Sequence, residues 1–148
     1  VAPLNVYTAG YEDRGIDEFI TRLKSKKVNI VVDVREVPAS RRAGFSKKVL
    51  MYRLKEEGFK YVHLKELGSP KSLREKVRKD GDFSKFFEEY RKYVASQMSV
   101  LRKLYRDIVS KETTCIMCFE RLHYHCHRTI VAEIMKEMDD NGLLVTHI

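Results

Sequence analysis

The segment Val28-Asn29-Ile30-Val31-Val32-Asp33-Val34 constrains the fold more than any other part of the chain. It is rich in β-branched residues, and its apolar positions run on without the alternation of a strand that has one wet face. Such a run suits a strand buried on both faces, as in a parallel sheet. Two covered faces require helices on both sides, so this segment alone predicts a three-layer domain.

The flanking sequence supplies the other layers. Leu4 to Thr8 reads as a first strand that stops at Gly10. Ile16, Phe19, Ile20 and Leu23 then recur at helical spacing behind the acidic first-turn residues Asp17 and Glu18. Ser46 is placed to start a helix carrying Val49, Leu50 and Leu54, and Gly58 to close it. Phe59 to Leu64 makes a third strand, followed by a short helical piece around Leu73 to Val77. Asp82 opens one long helix, whose apolar residues keep register from Phe83 to Ile108. Thr113 to Phe119 reads as a fourth strand. A last helix carries Ile130, Val131, Ile134, Met135 and Met138, and a final strand spans Leu143 to Ile148. Strands alternating with helices mean right-handed βαβ units. The expectation is a single α/β domain over residues 1–148, with a mainly parallel sheet of about five strands and helices on both faces.

In such sheets ligands bind outside the carboxyl ends of the strands, and the unusual polar residues follow the strand ends here. Tyr11 follows the first. Arg35, Ser40, Arg41 and Arg42 follow the second, and His63 and Gly68 the third. Cys118, Glu120 and the run His123 to Arg128 follow the fourth. The net charge of +8 is concentrated: from Arg35 to Lys60, eight basic residues face three acidic ones. That balance points to an anionic partner such as a nucleotide or nucleic acid, or to a solvated surface. Arg35, Arg41 and Arg128 are candidate anion holders, because a guanidinium fork matches phosphate. Arg35 has a second reading, as a structural partner of Asp33 or Glu120. Tyr11 and Tyr124 are candidates for stacking a base or bonding a phosphate. Glu120 and His127 are candidate acid or base groups, and Cys118 and Cys126 candidate nucleophiles.

Three cysteines cannot all pair within one chain, and they predict reduced thiols. Cys115 and Cys118, followed by His123, His125, Cys126 and His127, invite a zinc reading, but on a strand positions three apart face opposite sides, whereas a zinc knuckle needs a turn between its cysteines. No metal or cofactor is therefore expected. With no apolar run long enough to span a bilayer and no signal-peptide pattern, the expected compartment is the cytoplasm.

The chain resembles domain-of-unknown-function family 488. The resemblance rests on Tyr7-Thr8-Ala9-Gly10-Tyr11, on Val32-Asp33-Val34-Arg35 with Pro38, Ser40, Arg41 and Phe45, and on Tyr61-Val62-His63-Leu64 with Leu67-Gly68. It continues through Met117-Cys118-Phe119-Glu120, Cys126-His127-Arg128 and Val145-Thr146-His147-Ile148. It implies that the family's shared polar positions fall on Arg35, Arg41, Cys118, Glu120, Cys126, His127 and Arg128, and it implies no activity. Ala9-Gly10-Tyr11 departs from the Ile-Gly-His common in the family, and His123 and His125 lie outside its pattern.

Three functions follow as expectations. The first is a phosphate-binding protein acting on or binding a nucleotide or nucleic acid. The second is a rhodanese-like enzyme using a Cys118 thiolate, suggested by Asp33-Val34-Arg35-Glu36, although a phosphatase-type Cys-x5-Arg would need arginine where Tyr124 stands. The third is a non-catalytic adaptor that docks a protein.

Overall fold

The computed structural model describes residues 3–148. It contains five strands, β1 (Asn5–Gly10), β2 (Ile30–Asp33), β3 (Lys60–His63), β4 (Thr114–Cys118) and β5 (Leu144–His147). The helices are α1 (Ile16–Ser25), α2 (Lys47–Glu56), α3 (Lys71–Asp80), α4 (Phe83–Ala95), α5 (Met98–Lys103) and α6 (Arg128–Met138). All strand pairs are parallel, in the order β3-β2-β4-β1-β5. The expected α/β architecture is the observed one.

The central strands explain why. All four residues of β2 and all five of β4 are buried. Successive side chains alternate between two cores, as the period of a strand requires. Val31, Cys115 and Met117 pack with Phe19, Leu23, Leu50 and Leu54, so α1 and α2 cover one face. Val32, Ile116 and Cys118 pack with Tyr90, Val94, Leu101, Val131 and Met135, so α4, α5 and α6 cover the other. Each fully buried Val or Leu contributes roughly 1.5–3 kcal/mol. The edge strands β3 and β5 are half-exposed.

The predicted long helix is broken. After α4 the Ser96 hydroxyl takes the Tyr93 carbonyl (2.6 Å), and the chain restarts as α5 and widens into a π-helical turn over Leu104–Val109. Local hydroxyl bonds of this kind compete with the helix ladder. The apolar register hid the break, since Tyr90, Leu101 and Leu104 all still face one core. The piece expected around Leu73 to Val77 is a helix of 10 residues, closed by Gly81 in the left-handed region at φ 66°. Ser46 does start α2, but its hydroxyl bonds Ser40 rather than capping the helix.

Parallel register brings the carboxyl ends of four strands level. Gly10 stands opposite Cys118, and Asp33 stands between Met117 and His63. The loops after β1, β2, β3 and β4 therefore open on one edge. Two glycines let them close on each other: a Cβ on Gly10 would overlap the Glu120 carbonyl, and one on Gly68 would overlap the Glu36 backbone.

Gly10→Ala is expected to lower stability in denaturant unfolding by about 1–3 kcal/mol or more, the cost of overpacking against fixed backbone. Gly15→Ala, where a Cβ meets nothing and only the N-cap of α1 is changed, is expected to cost less, about 1 kcal/mol or below.

Candidate functional site

The floor of the site is built around one carboxylate. Asp33 is wholly buried at the end of β2. Its Oδ1 accepts from the Arg35 backbone N–H (3.1 Å) and Arg35 Nε (2.9 Å). Its Oδ2 accepts from Arg35 Nη2 (2.7 Å) and the Tyr61 hydroxyl (2.6 Å). Arg35 Nη1 goes on to donate to Tyr11 Oη (3.1 Å) and the Phe45 carbonyl (2.7 Å). The Tyr11 ring stacks on Phe45 with centroids 4.3 Å apart. Burial works against the Arg35 charge, but the bonds and charge of Asp33 outweigh it and hold its pKa above the ordinary value. The two Arg35 readings made from the sequence separate here: its partner is Asp33, and the fork is spent inside the protein.

Arg128 is likewise spent. It is 1% exposed at the start of α6. Its Nε donates to Thr8 Oγ1 (3.1 Å), Nη1 to the Glu120 carbonyl and towards Cys118 Sγ (3.5 Å), and Nη2 to the Arg121 carbonyl (3.2 Å). Desolvation, only partly offset by Glu120, lowers its pKa to about 10. The 119–125 loop thus turns carbonyl oxygens inward beside Cys118. A thiolate enzyme that cradles an anion needs inward N–H groups there, so the loop has the opposite polarity.

The expectation of three reduced thiols is corrected. Cys115 is free and buried on the α1–α2 face, where desolvation pushes its pKa up to about 12. Cys118 lies on the other face, and Cys126, brought back by the single turn His123–His125, meets it as a bonded pair. His127 is 5% exposed and its Nε2 donates to the Val34 carbonyl (2.7 Å). Desolvation lowers its pKa to about 4, with Arg128 adding to the effect and the Val34 carbonyl opposing it. Glu120 Oε2 stands 3.3 Å from Cys118 Sγ, and burial raises its pKa.

Above this floor opens a pocket of about 480 Å³. Tyr11, Arg35, Arg41, Cys118, Glu120 and His127 line it, while Cys126, Arg128 and Tyr124 do not. Arg42, placed at this strand end by the sequence, is also on the wall, whereas Arg74, Arg78 and Phe119 were not selected from the sequence as site residues. Arg74 bonds Glu36 (2.9 Å) and the Ser69 carbonyl, and Arg42 lies 4.0 Å from Asp13. Arg41 and Arg78 have no acidic partner within 4.0 Å among the described residues. The missed signal was the four-residue spacing of Arg74 and Arg78, which puts both on one face of α3. Phe119 is 44% exposed and meets Tyr11 edge-on at 5.4 Å.

Fold and pocket together define a parallel three-layer α/β protein with a basic cleft at the carboxyl edge of its sheet. More specifically, the chain belongs to the family described as domain of unknown function DUF488, whose model matches residues 15–135. The landmarks before Gly15 and after Met135 lie outside that match. No curated protein and no solved structure matches the chain. Among the described residues no helix is long and apolar enough to cross a membrane.

Asp33→Asn is expected to cost about 3–5 kcal/mol in denaturant unfolding, because Arg35 is left buried without its counter-charge. Tyr61→Phe, which removes one bond to that carboxylate, should cost about 1.5–3 kcal/mol.

Three histidines have lowered pKa values, His123, His127 and His147, and the two lowered furthest dominate the pH dependence. His127 and His147 both have folded pKa values of about 4 against an ordinary 6.5. Their contribution to stability is fully present above pH 6.5, where both states are neutral. It falls as the pH drops towards 4, because the unfolded chain takes up protons that the native one refuses. His127→Gln is expected to flatten the decline of Tm over that window, carboxylate effects being common to both proteins. Parallel curves would show that His127 does not titrate there.

Proposed function

We propose that this protein binds a phosphate-bearing ligand, a nucleotide or the phosphate backbone of a nucleic acid, in the pocket at the carboxyl edge of its sheet. The observation that carries the reading is the pair of guanidinium groups, Arg41 and Arg78, left without acidic partners on the wall of that pocket. A planar fork free to take two oxygens is what a phosphate calls for. The volume is of the size that takes a small-molecule ligand. Phe119, partly exposed on the same wall, offers a face against which a base can stack. Arg35 and Arg128 serve the site as frame rather than as ligands. Glu120 is an acid–base group on the pocket wall whose pKa burial raises from its ordinary value, which suits it to exchange a proton with a bound ligand.

The test is thermal unfolding of the wild type with inorganic phosphate, nucleotides and short single-stranded DNA and RNA. A ligand at a hundred times its Kd adds about 2.7 kcal/mol of stability. Arg41→Ala and Arg78→Ala are each expected to abolish most of the shift while leaving the unliganded Tm within a degree or two. A shift that weakens steeply with salt would mark a polyanion over a mononucleotide. A flat response to the whole panel would sink the reading and leave the pocket to a protein partner.

A further inference from the structure

The pocket's floor holds a second constellation that anion binding does not use. Cys118 Sγ, Cys126 Sγ and His127 Nδ1 or Nε2 present ligand atoms all within 4.8 Å of one another, and all three residues are buried. Because His127 Nε2 donates to the Val34 carbonyl, Nδ1 carries the lone pair, and it lies 3.9 Å from Cys126 Sγ. An imidazole whose far nitrogen is pinned by a backbone carbonyl is oriented as metal-ligating histidines are. Each sulfur also has an N–H aimed at it. Arg128 Nη1 stands 3.5 Å from Cys118 Sγ, and the Arg128 backbone N–H 3.5 Å from Cys126 Sγ. Such donors favour thiolates. The backbone holds the two cysteines with Cα atoms 7.7 Å apart, wider than the roughly 4.4–6.8 Å that disulfides ordinarily span.

We propose that, with Cys118 and Cys126 reduced, these two thiolates and His127 Nδ1 hold a divalent zinc ion. Two soft sulfurs and one imidazole select zinc over the hard oxygen-seeking ions. Two thiolates also balance its charge, and binding releases the two thiol protons to solvent. Three protein ligands leave a fourth position. Cys118, His127 and Glu120 line the pocket, so that position faces the cleft rather than the core. That Glu120 and an incoming phosphate oxygen share the cleft with it rests on the anion reading above; the metal site itself does not. Cys115 takes no part, since it lies across the sheet.

The test is titration of the full-length, phosphine-reduced, metal-stripped protein with cobalt(II) under anaerobic conditions, followed by displacement with zinc. One equivalent should bring up sulfur-to-cobalt charge-transfer absorption in the near ultraviolet, with the visible bands of a tetrahedral ion, and zinc should bleach both. Cys118→Ser and Cys126→Ser should each diminish the charge-transfer band, and these variants and His127→Gln should each weaken binding by at least about tenfold. Cys115→Ala should leave the spectrum unchanged. A reduced wild-type protein that takes up neither cobalt nor zinc overturns the proposal and leaves Cys118 and Cys126 as a redox pair. The wild-type spectrum decides whether sulfur ligates even where a variant fails to fold. Loss of the nucleotide thermal shift with the cobalt spectrum intact would count against the anion reading alone, and the converse against the metal site alone.

Discussion

A carboxylate with no solvent exposure, set at the end of an interior strand of a sheet, has to be matched bond for bond or give up its charge. Asp33 is matched, and the way it is matched organises everything above it. Four donors converge on its two oxygens, three of them from Arg35 and one from Tyr61 across the β2–β3 pairing. Because the charge on Arg35 is held by that contact, its remaining donors can be spent on Tyr11 Oη and the Phe45 carbonyl. One ion pair thereby ties the loop after β1, the start of the loop after β2, and the end of that same loop ahead of α2. The pair is not a source of net stability on its own, since desolvating two charges offsets much of their attraction. What it supplies is a single arrangement of three segments that hydrophobic burial would leave free to shift.

Arg128 does on the other side of the cleft what Arg35 does on this one. Its guanidinium collects carbonyls from Glu120 and Arg121 and a hydroxyl from Thr8. The Glu120 carbonyl can point inward only because residue 10 has no side chain. Gly10, Glu120 and Arg128 therefore act as a unit, and the unit sets the polarity of the loop. Two arginines are consumed as frame so that others, carried on more exposed segments, can stay free. The division follows from solvation: a guanidinium buried among acceptors is costly to redirect, whereas one at a cleft rim keeps its hydration until a ligand replaces it.

The architecture was readable from the chain because it rests on periodicity. The nearly continuous apolar run through β2 demanded two covered faces, and the helical stripes of α1, α4 and α6 supplied them. The edge at which polar residues gather followed from parallel pairing alone. The helix break at Ser96 was not readable, since a hydroxyl that competes for one carbonyl leaves the apolar register intact. The wall of the cleft was only half readable, for a related reason. Arg41 sits in a loop directly after a strand, where strand-end reasoning looks. Arg74 and Arg78 sit on a helix reached only after a further turn past β3, and in a chain this basic their charge did not distinguish them. Nor does sequence distinguish a guanidinium that frames a site from one that meets a ligand. Arg35 and Arg41 look alike on the page and differ only in whether a buried carboxylate is within reach.

Cys118 illustrates how polarity decides chemistry once position is settled. At the end of a central strand, before a helix and beside an arginine, it occupies the place of a nucleophile in enzymes that attack anionic substrates. Such a nucleophile needs amide protons turned towards the group it attacks, to take up the charge that develops there. Here the following residues turn their carbonyls inward, and the arginine is consumed in holding them. Those carbonyls offer no amide protons to an anionic substrate at the sulfur, and the donors that do reach the two sulfurs come from Arg128. The inward carbonyls, the imidazole whose far nitrogen is already bonded, and the second cysteine brought back beside the first all shift the balance the same way. On the proposed reading an anion is held at the arginine-lined rim and, with the two cysteines reduced, a metal cation at the floor.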